Sequence, residues 1–153
     1  MKLTEAKLKQ LIRESMELSD RYNKLMTLMT TEEGFIQAQS LFEMIEGTLD
    51  PRERTFLKTY FDVIDLAKEV RSLMLERDAA HEKYDKIEAE LLKGAPIDAE
   101  ADRAYSEAIR ASNALYKAKK KFETDMLEML AHGDRNIFDV VDSITRKILK
   151  GAI

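Results

Sequence analysis

His81 and His132 are the two histidines of the chain, and each follows a carboxylate on a stretch with helical spacing. Asp78 precedes His81 by three residues, and Glu128 precedes His132 by four. Carboxylate-bridged di-metal centres in helical bundles need a Glu from each of two helices and a Glu-x-x-His pair from each of two more. That supply fails, because only the Asp78 and His81 spacing approaches the motif and no second pair matches it. His132 falls in the last turn before Gly133, where the negative end of a helix favours a cation. The chain has no Cys, which excludes disulfides, zinc thiolates, iron–sulfur ligation and thiol nucleophiles. No sharp Gly-flanked turn presents a nucleophile, and no Gly-rich loop cradles a phosphate. Carboxylate pairs such as Asp62 with Asp65 and Asp98 with Asp102 read as solvated helix faces. The sequence therefore predicts no catalytic, cofactor or metal site and no small-molecule substrate.

Other groups are suited to binding. Lys117, Lys119, Lys120 and Lys121, flanked by Tyr116 and Phe122, could neutralise backbone phosphates and release counterions. Against a nucleic-acid role, Glu123 and Asp125 follow at once and Phe122 is needed for helix packing. Residues 31–50 carry five acidic and no basic side chains. Glu32, Glu33, Glu43 and Glu46 are therefore candidate contacts for a protein partner, together with Arg77 and His81. Arg77 stands in an otherwise apolar stripe, where a charge either snorkels outward or pairs across an interface. The simpler reading turns the local face onto Leu73, Ala80 and Ile87. Glu88 raises the same question.

These residues need long helices to carry them. Charged residues make up 35% of the chain and hydrophobic ones 44%, with 5 Gly and 2 Pro, a balance that points to an all-α fold in one domain of 153 residues. No apolar run approaches the roughly 18 residues of a membrane span, so the protein is expected to be soluble and cytoplasmic, with no membrane contact. A first helix is expected over about 4–29, with Leu8, Leu11, Ile12, Leu18, Tyr22, Leu25, Met26 and Met29 on one stripe. Thr30 and Glu33 suggest a capping box for a second, over 32–46, which Gly47 would close in the left-handed conformation. Asp50-Pro51 starts a third, over 51–93, and Asp98 caps a fourth, over 98–131. A fifth, over 136–150, carries Ile137, Val141, Ile144 and Ile148 and ends at Gly151.

The third and fourth helices read as an antiparallel hairpin folded at Gly94 to Pro96. Phe56, Tyr60, Val63, Ala67, Val70 and Met74 repeat in coiled-coil steps and continue less cleanly through Arg77, His81, Tyr84, Glu88 and Leu91. The facing seam is Ala101, Ala104, Ala108, Ala111, Leu115, Ala118 and Phe122. This register sets Leu91 against Ala101, Tyr84 against Ala108, Met74 against Ala118, Val70 against Phe122 and Val63 against Met129, large groups over small. Several of the eight Met residues, including Met26, Met29, Met44, Met74, Met126 and Met129, fall at or near seam positions and read as core filling. A third helix of roughly 60 Å exceeds the width of about 40 Å of a globule of this chain length, so the molecule is elongated or kinked. An open hairpin cannot wrap its own seam, which implies an oligomer or an assembly component.

Two segments resemble known groups. Met1-Lys2-Leu3-Thr4 with Lys7-Leu8-Lys9-Gln10-Leu11-Ile12-Arg13-Glu14 resembles the start of small proteins encoded by large tailed phages. There, short amphipathic leaders direct proteins into the prohead and a protease cuts after Glu in Leu/Ile-x-Glu. Ile12-Arg13-Glu14 fits that pattern, as do Leu3-Thr4-Glu5 and Leu41-Phe42-Glu43, and the resemblance implies a virion or accessory component. The stretch from Ile87 to Leu130, with Gly94, Asp98, Leu115 and Phe122, is similar in outline to YlbF-like helical regulatory proteins, which implies an adaptor in a multiprotein complex.

The function expected is that of a non-enzymatic structural or assembly protein, a homo-oligomer acting through helix–helix contacts with protein partners. A regulatory adaptor is the first alternative, and a nucleic-acid-binding protein using the lysine cluster is the second.

Overall fold

The computed structural model describes Thr4 and residues 18–153. Its helices are α1 (Leu18–Leu28), α2 (Glu32–Ile45), α3 (Pro51–Leu92), α4 (Ala99–His132) and α5 (Arg135–Leu149), with a 3-10 turn at Glu46–Thr48 and no strand among the described residues. The all-α expectation and the antiparallel hairpin of α3 and α4 hold. The first half of the expected first helix, with Leu8, Leu11 and Ile12, lies outside the described residues.

Local chemistry sets the boundaries. Asp50 accepts from the Arg52 N–H at 2.9 Å with Pro51 at the first helical position. Asp98 accepts from the Ala101 N–H at 2.9 Å, and Asp134 from the Ile137 N–H at 3.1 Å. Each satisfies an amide that the helix leaves unpaired. Asp134 starts α5 at Arg135, one residue earlier than expected. At the far end of α3, Gly94 has φ of 100°. Its N–H reaches the Leu91 carbonyl, and the Ala95 N–H reaches that of Glu90. This left-handed closure needs a residue without Cβ. Gly151 closes α5 in the same way, with φ of 74°.

Two expected caps are different. Thr31, not Thr30, caps α2, accepting from the Gly34 N–H at 3.0 Å, while Thr30 Oγ1 donates to the Thr27 carbonyl. The shift puts Gly34 at the third helical position, so Glu33 cannot close a reciprocal box. Gly47 is not left-handed; α2 runs out through the 3-10 turn, where the Thr48 hydroxyl donates to the Ile45 carbonyl at 2.7 Å.

The core sits at one end of the molecule. Leu25 of α1, Met29 in the turn after it, Phe35, Ala38 and Phe42 of α2, and Ile137, Val141, Ile144 and Ile148 of α5 pack around Leu57 to Ala67 of α3 and Met129 of α4. Phe61 is the hub, with ring centroids 5.2 Å from Phe35 and 5.0 Å from Phe42. Full burial of each such ring contributes about 1.5–3 kcal/mol, so this base carries most of the fold's hydrophobic stabilisation. Polar clamps fix its parts. Tyr60, buried, accepts from the Asp134 N–H at 2.8 Å and so ties the turn between α4 and α5 to α3. Arg71 donates to the Leu149 carbonyl at 3.3 Å, placing a cation at the carboxyl end of α5. Of the methionines expected in the seam, Met29 and Met129 are buried, whereas Met44 is 81% exposed.

Beyond Val70 the hairpin leaves the base as a two-helix arm. α3 is one uninterrupted helix of 42 residues, about 63 Å long, and roughly half of it projects. Ala101, Ala104, Ala108 and Leu115 of α4 are buried, yet no residue of α3 from Arg71 to Leu92 is fully buried. The asymmetry follows from size, since long side chains of α3 cover alanines that are too small to cover them in return. Observed cross-contacts lie within a turn of the expected register: His81 with Ser112, Lys83 with Glu107, and Tyr84 with Tyr105. The half-buried inward positions of the arm on α3 are Leu73, Met74, Arg77, Ala80, Tyr84, Ile87 and Leu91, whereas His81 and Glu88, expected in the seam, are exposed. A straight α-helix drifts against a 3.5-residue repeat, and here the drift brings Ala80 and Ile87 inward and spares two polar groups burial.

Candidate interaction surface on the helical arm

At about 100° per residue, the positions following the buried alanines of α4 form a second line on its flank. Tyr105, Ile109, Ser112, Tyr116 and Lys119 repeat there in steps of four and three. Tyr105 is 52% exposed, Ile109 43% and Tyr116 64%. The line continues toward the base with the exposed Leu127 and Leu130. It carries apolar area that α3 does not cover.

The neighbouring flank of α3 is polar. His81 and Ser112 bridge the two helices with Nε2 and Oγ 2.8 Å apart. Beside them a shallow groove of about 520 Å³ is lined by Arg77, Asp78, His81, Tyr116 and Lys119, among others. Arg77 does not pair across the hairpin. Its guanidinium meets Asp78, the next residue on its own helix, at 3.1 Å, and it remains about one-third exposed. The snorkelled arrangement therefore prevails over a buried cross-helix pair, as the cost of burying a charge requires.

Lys117, Lys119, Lys120 and Lys121 are all exposed, but they do not share a face. Lys119 lines the groove, and the Lys120 ammonium lies 5.9 Å from the centroid of the Tyr116 ring. By helical spacing Lys117 falls on the back of α4 and Lys121 on the flank away from the groove, since the four lysines span more than half the helix circumference. The fold thus brings Lys119 together with Arg77 and His81, residues far apart in sequence, and separates it from two of its sequence neighbours.

The acidic candidates sit on the base. Glu32 is engaged within the chain, accepting from Lys147 Nζ at 2.6 Å and from the Ser143 hydroxyl of α5. The hydrogen bond from Lys147, then that from Ser143, hold its carboxyl below the usual carboxylate range. This clamp joins α2 to α5, so Glu32 holds the base together while its side chain stays part-exposed. Glu33, Glu43 and Glu46 are exposed. No group of three or more metal-ligating side chains occurs among the described residues. A cavity of about 170 Å³ near the base brings His132 and Glu128 beside Phe56, Tyr60 and Met129.

The sequence reading missed the exposed line on α4. Its signal was available, because Tyr105, Ile109 and Tyr116 stand at heptad spacing one residue out of phase with the alanine seam. Of the segment resembling phage proteins only Thr4 lies within the described residues, and no described helix is long and apolar enough to cross a membrane. Neither family models, curated proteins nor solved structures provide a match to this chain.

Proposed function

We propose that this chain is a non-enzymatic structural or assembly protein, in which the base fixes the fold and the arm makes helix–helix contacts with protein. The observation that carries the reading is the exposed line Tyr105, Ile109 and Tyr116 on α4, running beside a seam that α3 already fills. Apolar side chains at heptad spacing gain burial when another helix lies along them. The groove beside the line has both charge signs, which suits a protein surface, where complementary pairs set orientation.

Light scattering on the purified chain tests this. The expected result is a mass above that of one chain at micromolar concentration, falling toward one chain in Ile109→Glu with helicity unchanged. A single-chain mass throughout, unaltered by Ile109→Glu, counts against self-assembly and leaves the regulatory adaptor, whose partner is a different protein. A virion or accessory role is the biological setting that the amino-terminal resemblance suggests, and mass spectrometry of purified particles tests it.

A second reading has its own observation: residues 108–122 carry five basic and no acidic side chains. Nucleic-acid binding through that stretch predicts affinity that falls steeply with salt. The spread of the lysines round α4 favours protein contact, because a single phosphate backbone cannot meet all four. Oligonucleotide binding that persists at moderate salt would reverse that preference.

A further inference from the structure

The arm is polarised along its length. Residues 82–107, which form its outer part, hold eight acidic and four basic side chains, and residues 108–122, its inner part on α4, hold five basic and none acidic. The change of sign falls close to the level at which His81 meets Ser112. The uncovered apolar line crosses the same level, with Tyr105 and Ile109 on the outer side and Tyr116 on the inner.

On the face that carries His81, Ser112 and the apolar line, Asp85 and Glu88 lie outside that level, and Lys119, Lys120 and Arg77 lie inside it, with Asp78 beside Arg77. A surface whose charge reverses about its own midpoint is complementary to a reversed copy of itself. We propose that the arms of two copies pair side by side in opposite directions, about a two-fold axis at the level of His81 and Ser112. The inference rests on the assembly reading above and specifies its geometry. A two-fold axis in the plane of contact, perpendicular to the arm, lays α4 on the partner's α4 and α3 on the partner's α3. Ile109 then lies opposite the partner's Tyr116. On α3, Asp78 lies opposite the partner's His81. Each basic inner half covers an acidic outer half. Parallel pairing would set the basic stretch beside its own copy, and like charges in register are unfavourable.

Size agrees with this arrangement. Overlap of about 20 residues gives a contact of about 30 Å by 20 Å, or roughly 600 Å² per partner. That is the lower end of specific interfaces, so the pair is expected to be reversible, micromolar and sensitive to salt.

The native chain lacks Cys, so a single introduced thiol reports the geometry directly. Ser112→Cys places one thiol beside the axis on each copy, within reach of a disulfide. Ala95→Cys, at the arm's tip, places the two thiols at opposite ends of the pair. Oxidation is expected to yield covalent dimers of Ser112→Cys and not of Ala95→Cys. Sedimentation supplies the second arm of the test, using two charge variants that retain their helicity: Lys119→Glu with Lys120→Glu, and Asp85→Lys with Glu88→Lys. Each alone is expected to associate at least about tenfold more weakly than the native chain, and an equimolar mixture to recover dimers, because opposite blocks then face each other again.

Association that persists in both variants, with cross-linking at Ala95 or at neither site, overturns the arm pairing and leaves the assembly reading intact. A native chain that stays single at low salt, and changes size only when a DNA or RNA oligonucleotide is added, overturns both.

Discussion

Gly34 and Gly47 bracket α2, and the structure assigns opposite signs to the same substitution at the two positions. A Cβ on Gly34 would lie 2.0 Å from the Leu28 carbonyl oxygen and 2.7 Å from Thr31 Oγ1. The first obstacle is backbone, so the turn joining α1 to α2 must move by an ångström or more. Gly34 is buried, and its N–H is the donor of the Thr31 cap, so that movement also loosens the cap. Overpacking of this kind costs about 1–3 kcal/mol. Replacing Gly by Ala in a helix returns about 0.5–1 kcal/mol by restricting the unfolded chain. The expected net effect of Gly34→Ala is a loss of about 1–2 kcal/mol. At Gly47 a Cβ would meet nothing within 4 Å and φ is not positive, so Gly47→Ala keeps only the favourable part and gains up to about 1 kcal/mol. Urea denaturation followed by circular dichroism measures both. With a slope of about 1–3 kcal/mol per molar, the Gly34 midpoint falls by roughly 0.3–2 M at unchanged slope while the Gly47 midpoint rises. A Gly34→Ala midpoint at or above the native one refutes the claim that the glycine is there for close approach.

Tyr60→Phe leaves the Asp134 N–H without its acceptor in a partly buried turn and is expected to cost about 1–3 kcal/mol by the same measurement. Burial is the main cause raising the pKa of both Tyr60 and Tyr22. The stability it represents is complete below the ordinary tyrosine value of about 10 and is lost as pH rises through the higher folded values. Melting temperature is therefore expected to drop above about pH 10, less steeply in Tyr60→Phe. Glu32 has the opposite sign, because Lys147 and Ser143 lower its pKa. The α2 to α5 clamp is intact above the ordinary carboxylate range and is lost as pH falls through the depressed value, so Glu32→Gln should flatten the acid limb of the stability profile. Gly94→Ala, forced to φ near 100°, is expected to cost about 1 kcal/mol and to raise amide exchange in the last turn of α3.

How much of this could be read from sequence depended on whether a feature was local. Asp50-Pro51, Gly94, Asp98 and Gly151 fixed helix ends because capping depends on the residue and its immediate neighbours. The hairpin register was legible because the alanines of α4 admit only long side chains opposite them. Thr30 and Thr31 could not be separated, since both offer a hydroxyl three residues before an amide and the choice depends on how closely α1 approaches Gly34. Nor could Gly47 be placed, because a 3-10 exit and a left-handed one use similar residues. The proposed contact surface was the least legible. Lys119, Arg77 and His81 meet only once the hairpin is closed, and Glu32 meets Lys147 and Ser143 only once α5 has docked beside it.

The buried core and the uncovered apolar line are divided between the two ends of the α3 and α4 hairpin. The first 20 residues of α3 contribute every fully buried side chain of that helix, from Leu57 to Val70, and they lie in the base. The remainder rests on four buried residues of α4, three of them alanines, whose small side chains bury little area each. An arm so lightly packed keeps its direction because α3 is continuous through the base and because Tyr60 and Arg71 fasten the neighbouring turns to it. The exposed line of Tyr105, Ile109 and Tyr116 can therefore change with small effect on folding, while core residues such as Phe61 and Val141 can change with none on the chemistry the arm presents. Substitutions in the two regions share no contacts, and their effects on stability should add. The lightness of the arm's own seam also gives association a physical role, for a second helical layer would cover the half-exposed groups that alanine leaves open.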